Sequence, residues 1–172
     1  MKKIINRKAS GFTLLEILVV VVIIGIMAAL VGSKYNKYKQ TNNVQKVVEG
    51  LTTIRTCILD KYGTLRDFVG LSNTTMLNGV CISNDMRGAA GQIQNPWSNT
   101  GIVITPSGGN DTYTITHSAV PQQECFDIGY KINPQTSNFE SITINATAIV
   151  NTSPDVDNNC AAVNVMAFTG RL

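Results

Sequence analysis

Gly11-Phe12-Thr13-Leu14-Leu15-Glu16 opens the stretch that decides the fold, and Ile17-Leu18-Val19-Val20-Val21-Val22-Ile23-Ile24-Gly25-Ile26-Met27-Ala28-Ala29-Leu30-Val31-Gly32-Ser33 completes it. No side chain from Ile17 to Val31 is polar, and Glu16 is the single charged residue between Phe12 and Ser33. A hydrocarbon core about 30 Å thick is crossed by about 20 apolar helical residues, so this stretch predicts a helix able to span a membrane. Before it stand Lys2, Lys3, Arg7 and Lys8 with no acid among them. Such a basic flank stays cytoplasmic by the positive-inside rule, which directs the rest of the chain outward.

The whole-chain figures take their meaning from this segment. The 172 residues, long enough for one domain, are 44% hydrophobic and 15% charged, with a formal net charge of +3. The charged fraction lies below the roughly 25% of an average soluble protein, which argues against a disordered tail or a solvated charge-rich bundle. A net charge of +3 is too small to indicate nucleic-acid binding, and none is expected. Of the 14 basic residues four lie in the first eight positions, so the remaining ten face 11 acids, a side-chain charge of −1.

Two ordinary explanations of the apolar stretch fall short. A secretory signal has an apolar region of about 7–15 residues and an A-x-A-like cleavage site. Here the run is longer, and the residues two before Ala29 and Ala28 are Met27 and Ile26. A plain anchor leaves Glu16 unexplained, because a carboxylate in a membrane helix costs roughly 2.5–3.5 kcal/mol on insertion scales and by default marks function. Glu16 could favour the positive end of its own helix dipole, but that contribution is about 0.3–1 kcal/mol. The cost exceeds the gain.

The run Gly11-Phe12-Thr13-Leu14-Leu15-Glu16, behind a short basic leader and ahead of an unbroken apolar helix, resembles the class III signal of type IV prepilins. The resemblance implies that prepilin peptidase cuts between Gly11 and Phe12 and that the same enzyme N-methylates Phe12. It also implies that Glu16 pairs with the terminal amine of a neighbouring subunit and fixes axial register in a filament. The physics agrees, since a buried carboxylate and a buried amine each need a partner. The expected divisions are residues 1–11 as cleaved leader, 12–33 as transmembrane and filament-core half of a helix, and 34–172 as head.

Beyond Ser33 the pattern becomes amphipathic. Val44, Val47, Val48, Leu51, Ile54 and Ile58 recur at helical spacing, with Lys46, Glu49, Arg55 and Asp60 largely on other faces. One helix from Phe12 to Tyr62, stopped at Gly63, is expected to be roughly 75 Å long. Gly25 and Gly32 are either weak points of that helix or small residues that permit close helix packing. Many pilins carry a proline here; this chain has none between residues 12 and 95.

From residue 64 the sequence turns to Ser, Thr, Asn and Gly with short β-prone runs. Gly101–Thr105 and Thr112–Thr116 flank Pro106-Ser107-Gly108-Gly109-Asn110, a hairpin signal. Ser141–Val150 alternates and reads as one strand, Val163–Phe168 as the last strand, and Gln122–Tyr130 as a short helix after Pro121. The expected fold class is α+β, a long N-terminal helix packed on an antiparallel sheet, the type IV pilin fold.

Cys57, Cys81, Cys125 and Cys160 all fall on the side expected to face an oxidising compartment. Four cysteines allow three pairings. We favour Cys57–Cys81, stapling the helix to the following loop, with Cys125–Cys160; the latter resembles the disulfide that commonly bounds the variable C-terminal region of type IV pilins. No CxxC occurs and His117 is the one histidine, so no metal site and no cofactor is expected. His117 is read as lying on a strand surface, Trp97 as a packing anchor, and Asp155, Asp157, Asn158 and Asn159 as a polar turn rather than a calcium loop. Asn95-Pro96-Trp97, Val120-Pro121 and the late Cys160 loosely resemble class b pilins, whereas the eleven-residue leader and Phe12 look like class a.

With no nucleophile motif, phosphate loop or dinucleotide fingerprint, no enzymatic activity is expected. The expected function is that of a structural subunit, the major pilin of a surface filament serving adhesion, aggregation, motility, DNA uptake or conjugation. Implied partners are other copies of the chain, prepilin peptidase, an assembly ATPase, a platform protein and a secretin. The implied route runs from the inner membrane to the extracellular pilus. Two other readings share parts of the pattern: a minor pilin or type II secretion pseudopilin, and, more distantly, a membrane-anchored enzyme.

Overall fold

A helix of 49 residues, α1 (Leu14–Tyr62), begins the computed structural model, which describes residues 12–171 apart from 66, 80, 90, 133–136 and 151. Its hydroxyl cap is local: the backbone N–H of Glu16 donates to Thr13 Oγ1 at 3.3 Å and to the Thr13 carbonyl at 3.0 Å. This is the Thr-x-x-Glu arrangement that opens many helices. Tyr62 is the last helical residue, and the N–H of Gly63 still donates to the carbonyl of Leu59 at 2.8 Å.

Contacts divide the chain into two units, Met1–Lys39 and Gln40–Leu172. The described part of the first is the apolar half of α1, whose large hydrophobic side chains from Phe12 to Leu30 are 47–82% exposed. The second carries all of the core. Val44, Val47, Leu51, Ile54 and Ile58, on one stripe of α1, are at most 3% exposed, as their helical spacing predicts.

That stripe belongs to a core shared with a six-stranded sheet made of β1 (Ile93–Asn95), β2 (Ser98–Ser107), β3 (Thr112–Pro121), β4 (Ser141–Ile144), β5 (Thr147–Ala148) and β6 (Val163–Arg171). The strand order is β1-β2-β3-β6-β4-β5 with every recorded pairing antiparallel. The last strand thus sits inside the sheet, between β3 and β4. Ile102, Ile104, Tyr113, Ile115, Ile142, Ile144, Met166 and Phe168 alternate inward along their strands and are at most 2% exposed. Among the described residues the head also has the short α-helices α2 (Asn73–Leu77), α3 (Gln122–Lys131) and α4 (Thr152–Asn159).

The hairpin expected around residues 106–110 is present, with Gly108 and Gly109 at φ +56° and +74°. Ser141–Val150 is not one strand. It is the tight hairpin β4–β5, turned at Asn145 (φ 51°) and Ala146 (φ 68°), two left-handed residues that local alternation does not reveal. Residues 155–159 also differ from expectation, forming the end of α4 rather than a turn. β2 and β3 run beyond the expected strands at both ends or one end, because pairing with β1 and β6 extends them.

Two asparagines hold what the ladder leaves open. Asn73 Nδ2 donates to the Ile102 carbonyl at 2.7 Å while its Oδ1 accepts from Ile104 N–H at 2.8 Å, so an amide stands in for a strand on the edge of β2. Asn164, fully buried, donates to the carbonyls of Val120 and Ala161 and accepts from Ala161 N–H. Gly170 is required by contact, since a Cβ there would lie 2.4 Å from the ring of Tyr113 opposite it in the ladder.

Candidate functional site

The N-terminal segment presents apolar surface on every side. Phe12, Leu14, Leu15 and Leu30 are 65–82% exposed, and the most apolar window of α1 has a mean hydropathy of 3.1 with none of it buried. Soluble monomers rarely leave contiguous apolar surface of this extent, and a helix apolar all round is built to be enclosed by lipid or by other helices. Added Cβ atoms at Gly25 and Gly32 would meet nothing within 4 Å, so neither glycine is required by a contact inside this chain.

Glu16 sits at the third position of α1, exposed among these apolar residues. Its backbone is capped by Thr13. Helix capping is worth about 1 kcal/mol and the dipole at most about 1 kcal/mol at an exposed site. Neither repays the transfer of the carboxylate into an apolar phase. Phe12 precedes the helix and is 80% exposed, while Gly11 lies outside the described residues.

The head is closed by two disulfides. Cys57 on α1 is joined to Cys81 with a Cα–Cα distance of 5.7 Å, tying the helix to the segment that follows it. That segment is gripped further by Arg87, which donates to the carbonyls of Leu77, Gly79 and Ile82 at 2.8–3.2 Å. Cys125 on α3 is joined to Cys160, just past α4, with a Cα–Cα distance of 5.9 Å. The two helices approach so closely that a Cβ on Gly129 would stand 2.8 Å from Val156.

The residues of the acidic cluster make hydrogen bonds within the head. Asp155 Oδ2 accepts from Val150 N–H, Asn159 Nδ2 donates to the Asp155 carbonyl, and Tyr130 donates its hydroxyl to Asp157. Among the described residues no group of three or more His, Cys, Asp or Glu gathers as a metal site would require. Trp97 is partly buried and packs against the core, as a packing anchor does.

His117 overturns its reading as a surface residue. It follows Tyr113 and Ile115 at period two on β3, is 1% exposed, and stands edge-on to Phe168 at 6.0 Å between ring centroids. The expected strand stops at Thr116, whereas β3 continues to Pro121 and carries His117 onto its inward face. Burial pushes its pKa down from 6.5 to about 4. The same burial raises the phenol of Tyr113, against the opposing pull of the Arg55 guanidinium.

A pH dependence follows. In the unfolded chain His117 takes a proton near pH 6.5, in the fold only near pH 4, so the unfolded state binds more protons in that window. Stability attributable to this residue is complete above about pH 6.5 and falls by about 3 kcal/mol in all as pH drops to about 4. Thermal melts between pH 4 and 7.5 should show this component in the wild-type chain and lose it in His117→Leu; identical pH profiles would remove the histidine as its source.

An apolar, unenclosed N-terminal helix continuous with a helix-on-sheet head, stapled by two disulfides, is the architecture of a type IV pilin. Comparison with known proteins gives the same class. Residues 34–169 match the family described as "PilS N terminal", and residues 6–32 match the "Prokaryotic N-terminal methylation motif". The chain belongs to the PilS N terminal family of type IV pilins. Two type IV major fimbrial protein FimA sequences of Dichelobacter nodosus are similar to it. One is 30% identical over 81% of this chain and 72% of its own length, the other 37% identical over 41% and 47%. The chain thus spans about half the length of the second and nearly three quarters of the first.

Among solved structures, TcpA, a type IV pilin from Vibrio cholerae El Tor biotype, superposes with a TM-score of 0.59 at 15% identity, covering 75% of this chain and 99% of that one. A type IV b pilin from Salmonella typhi gives 0.53 at 23% identity, covering 72% and 99%. These likenesses establish the shared α+β fold.

Proposed function

We propose that the chain is the major structural subunit of a type IV pilus, polymerising with copies of itself. The observation that carries this reading is the apolar stretch from Ile17 to Leu30, its large side chains 47–65% exposed, joined to a folded head. Free in water, that stretch exposes large apolar side chains at every turn; in a bundle of identical helices they are kept from water, a contribution of roughly 25 cal/mol per Å² of apolar surface, and on leaving lipid they gain close helix packing instead. The fimbrial relatives support assembly into filaments.

In this reading residues 1–11 are a leader removed by prepilin peptidase between Gly11 and Phe12, and Phe12 becomes the methylated N-terminus. Residues 12–33 lie in the inner membrane before assembly and in the filament core afterwards, with Glu16 paired to the amine of a neighbour. An assembly ATPase, a platform protein and a secretin drive and pass the fibre to the cell surface. The head is read as class b, a reading supported by its likeness in fold to the Salmonella pilin. The protein acts by assembling, without catalysis.

Intact mass of the protein isolated from its native host tests the first step. The expected mass corresponds to residues 12–172 with two disulfides and one added methyl group. Retention of residues 1–11 in sheared surface fibres would exclude the processing scheme. Abundance of the chain in those fibres, as their principal component, would identify a major rather than a minor subunit.

A further inference from the structure

Directly beyond the apolar run, α1 carries Lys34-Tyr35-Asn36-Lys37-Tyr38-Lys39, every residue exposed, with Tyr35 at 64% and Tyr38 at 72%. Lys34, Lys37, Lys39 and Lys46 lie between Glu16 and Glu49, and no acid does. From Leu14 to Ser33 the helix rises about 30 Å, the thickness of a hydrocarbon core. With that stretch across a bilayer, Lys34 falls at the far boundary and the next five residues lie among the headgroups. At 3.6 residues per turn, Lys34, Tyr35, Tyr38 and Lys39 share an arc of about 140°.

The residue types suit that depth. A tyrosine ring rests against acyl chains while its hydroxyl reaches water. Lysine keeps its methylene stem in apolar surroundings and extends its ammonium beyond them. The positive-inside rule nevertheless disfavours lysines on the exported side of a span. With no acid in the same run of sequence, their counter-charge has to come from outside it. Headgroups of net negative charge supply it at the level where the tyrosines hold the segment. Three cations are fewer than the clusters that draw a soluble chain to a membrane. Here the apolar helix already places them at the surface, so they need only choose among neighbouring lipids.

We propose that the segment Lys34–Lys39 is a contact site for anionic phospholipid, gathering headgroups of net negative charge around the chain at the outer face of the inner membrane before assembly. The inference rests on the membrane-spanning reading given above, and its occupant is the bilayer surface.

The test reconstitutes the full chain, carrying Tyr38→Trp as a probe, into phosphatidylcholine vesicles with a minority of phosphatidylglycerol. One lipid at a time bears dibrominated acyl chains, which quench tryptophan only at contact range. The chain without the probe supplies the background of Trp97, its single tryptophan. Phosphatidylglycerol should be favoured over phosphatidylcholine at this position by about twofold or more. Lys34→Gln, Lys37→Gln and Lys39→Gln together should bring that ratio close to one, as should molar salt, while arginine at all three positions should keep it. Equal quenching by the two lipids overturns the proposal, and so does a preference that survives the glutamine variant. Loss of the preference on adding inorganic phosphate at constant ionic strength also overturns it, assigning the lysines to a free anion. Equal quenching combined with fewer fibres from the glutamine variant would place a second copy of the chain against them instead. Absence of quenching by either lipid is a distinct result, which removes the membrane-spanning reading and this inference with it.

Discussion

Glu16→Val is expected to leave the head folded, both disulfides formed and the leader removed, while reducing the yield of sheared fibres by about tenfold or more. The energies argue for this division. Valine removes a charge that costs roughly 2.5–3.5 kcal/mol in a membrane helix, so insertion improves. In the proposed filament core the same change leaves the Phe12 amine of a neighbour without its carboxylate. Breaking a buried charge pair by removing one partner typically costs 3–5 kcal/mol, and the loss recurs at every subunit added. A control separates pairing from capping. Thr13→Ala removes the hydroxyl that accepts from Glu16 N–H, at about 1 kcal/mol, and should leave fibre yield nearly unchanged. Electron microscopy of sheared material with intact mass of the cell-associated chain reads both variants. Normal fibres from Glu16→Val would refute the pairing role, and equal losses in both variants would show that the helix start, whose cap uses only the backbone N–H of Glu16, limits assembly rather than the carboxylate.

The second large effect concerns Cys125–Cys160. Replacing both by serine should destabilise the head by about 4 kcal/mol in the chain-entropy treatment of its 35-residue separation. At about 2–4 °C per kcal/mol for a chain of this size, the melting temperature should fall by roughly 8–16 °C. The effect should exceed that of the Cys57–Cys81 pair, about 3.5 kcal/mol for a separation of 24. Burial adds to the difference, because Cys125 is fully buried and Cys160 nearly so, and serine there would bury hydroxyls in an apolar site. Thermal melts of the double variants, with and without reductant, decide the order. A loss under about 1 kcal/mol for Cys125→Ser with Cys160→Ser would mean that the close packing of α3 on α4 holds this region unaided.

The helical spacing of Val44, Val47, Leu51, Ile54 and Ile58 on α1 was legible because it is a local property: a 3.6-residue period places these residues on one side whatever they meet. The run from Ile17 to Val31 was legible for a simpler reason, since fifteen positions without a polar group admit few environments. Glu16 stood out against that background by cost alone. The hairpin at Gly108-Gly109 was legible because positive φ at such positions selects glycine.

Other features depended on partners far away in the chain. Asn145 and Ala146 adopt left-handed conformations because β4 must fold back as β5 while also pairing with β6, and no local signal announces this. Asn73 replaces a strand on an edge that exists only once β2 is in the sheet. His117 was misplaced since its chemistry favours water, whereas its position on β3 between inward-facing neighbours leaves no route to it.

The sequence by itself determined that this protein has an apolar helix requiring enclosure, a basic flank before it, a lone carboxylate at the start of that helix and an α+β head. These are consequences of composition and period over short windows. Only the tertiary structure decided that the last strand enters the middle of the sheet, that Cys125 lies beside Cys160, and that His117 is buried against Phe168. Each of these joins residues tens of positions apart, and such contacts are fixed by how the whole core packs rather than by any window of the chain.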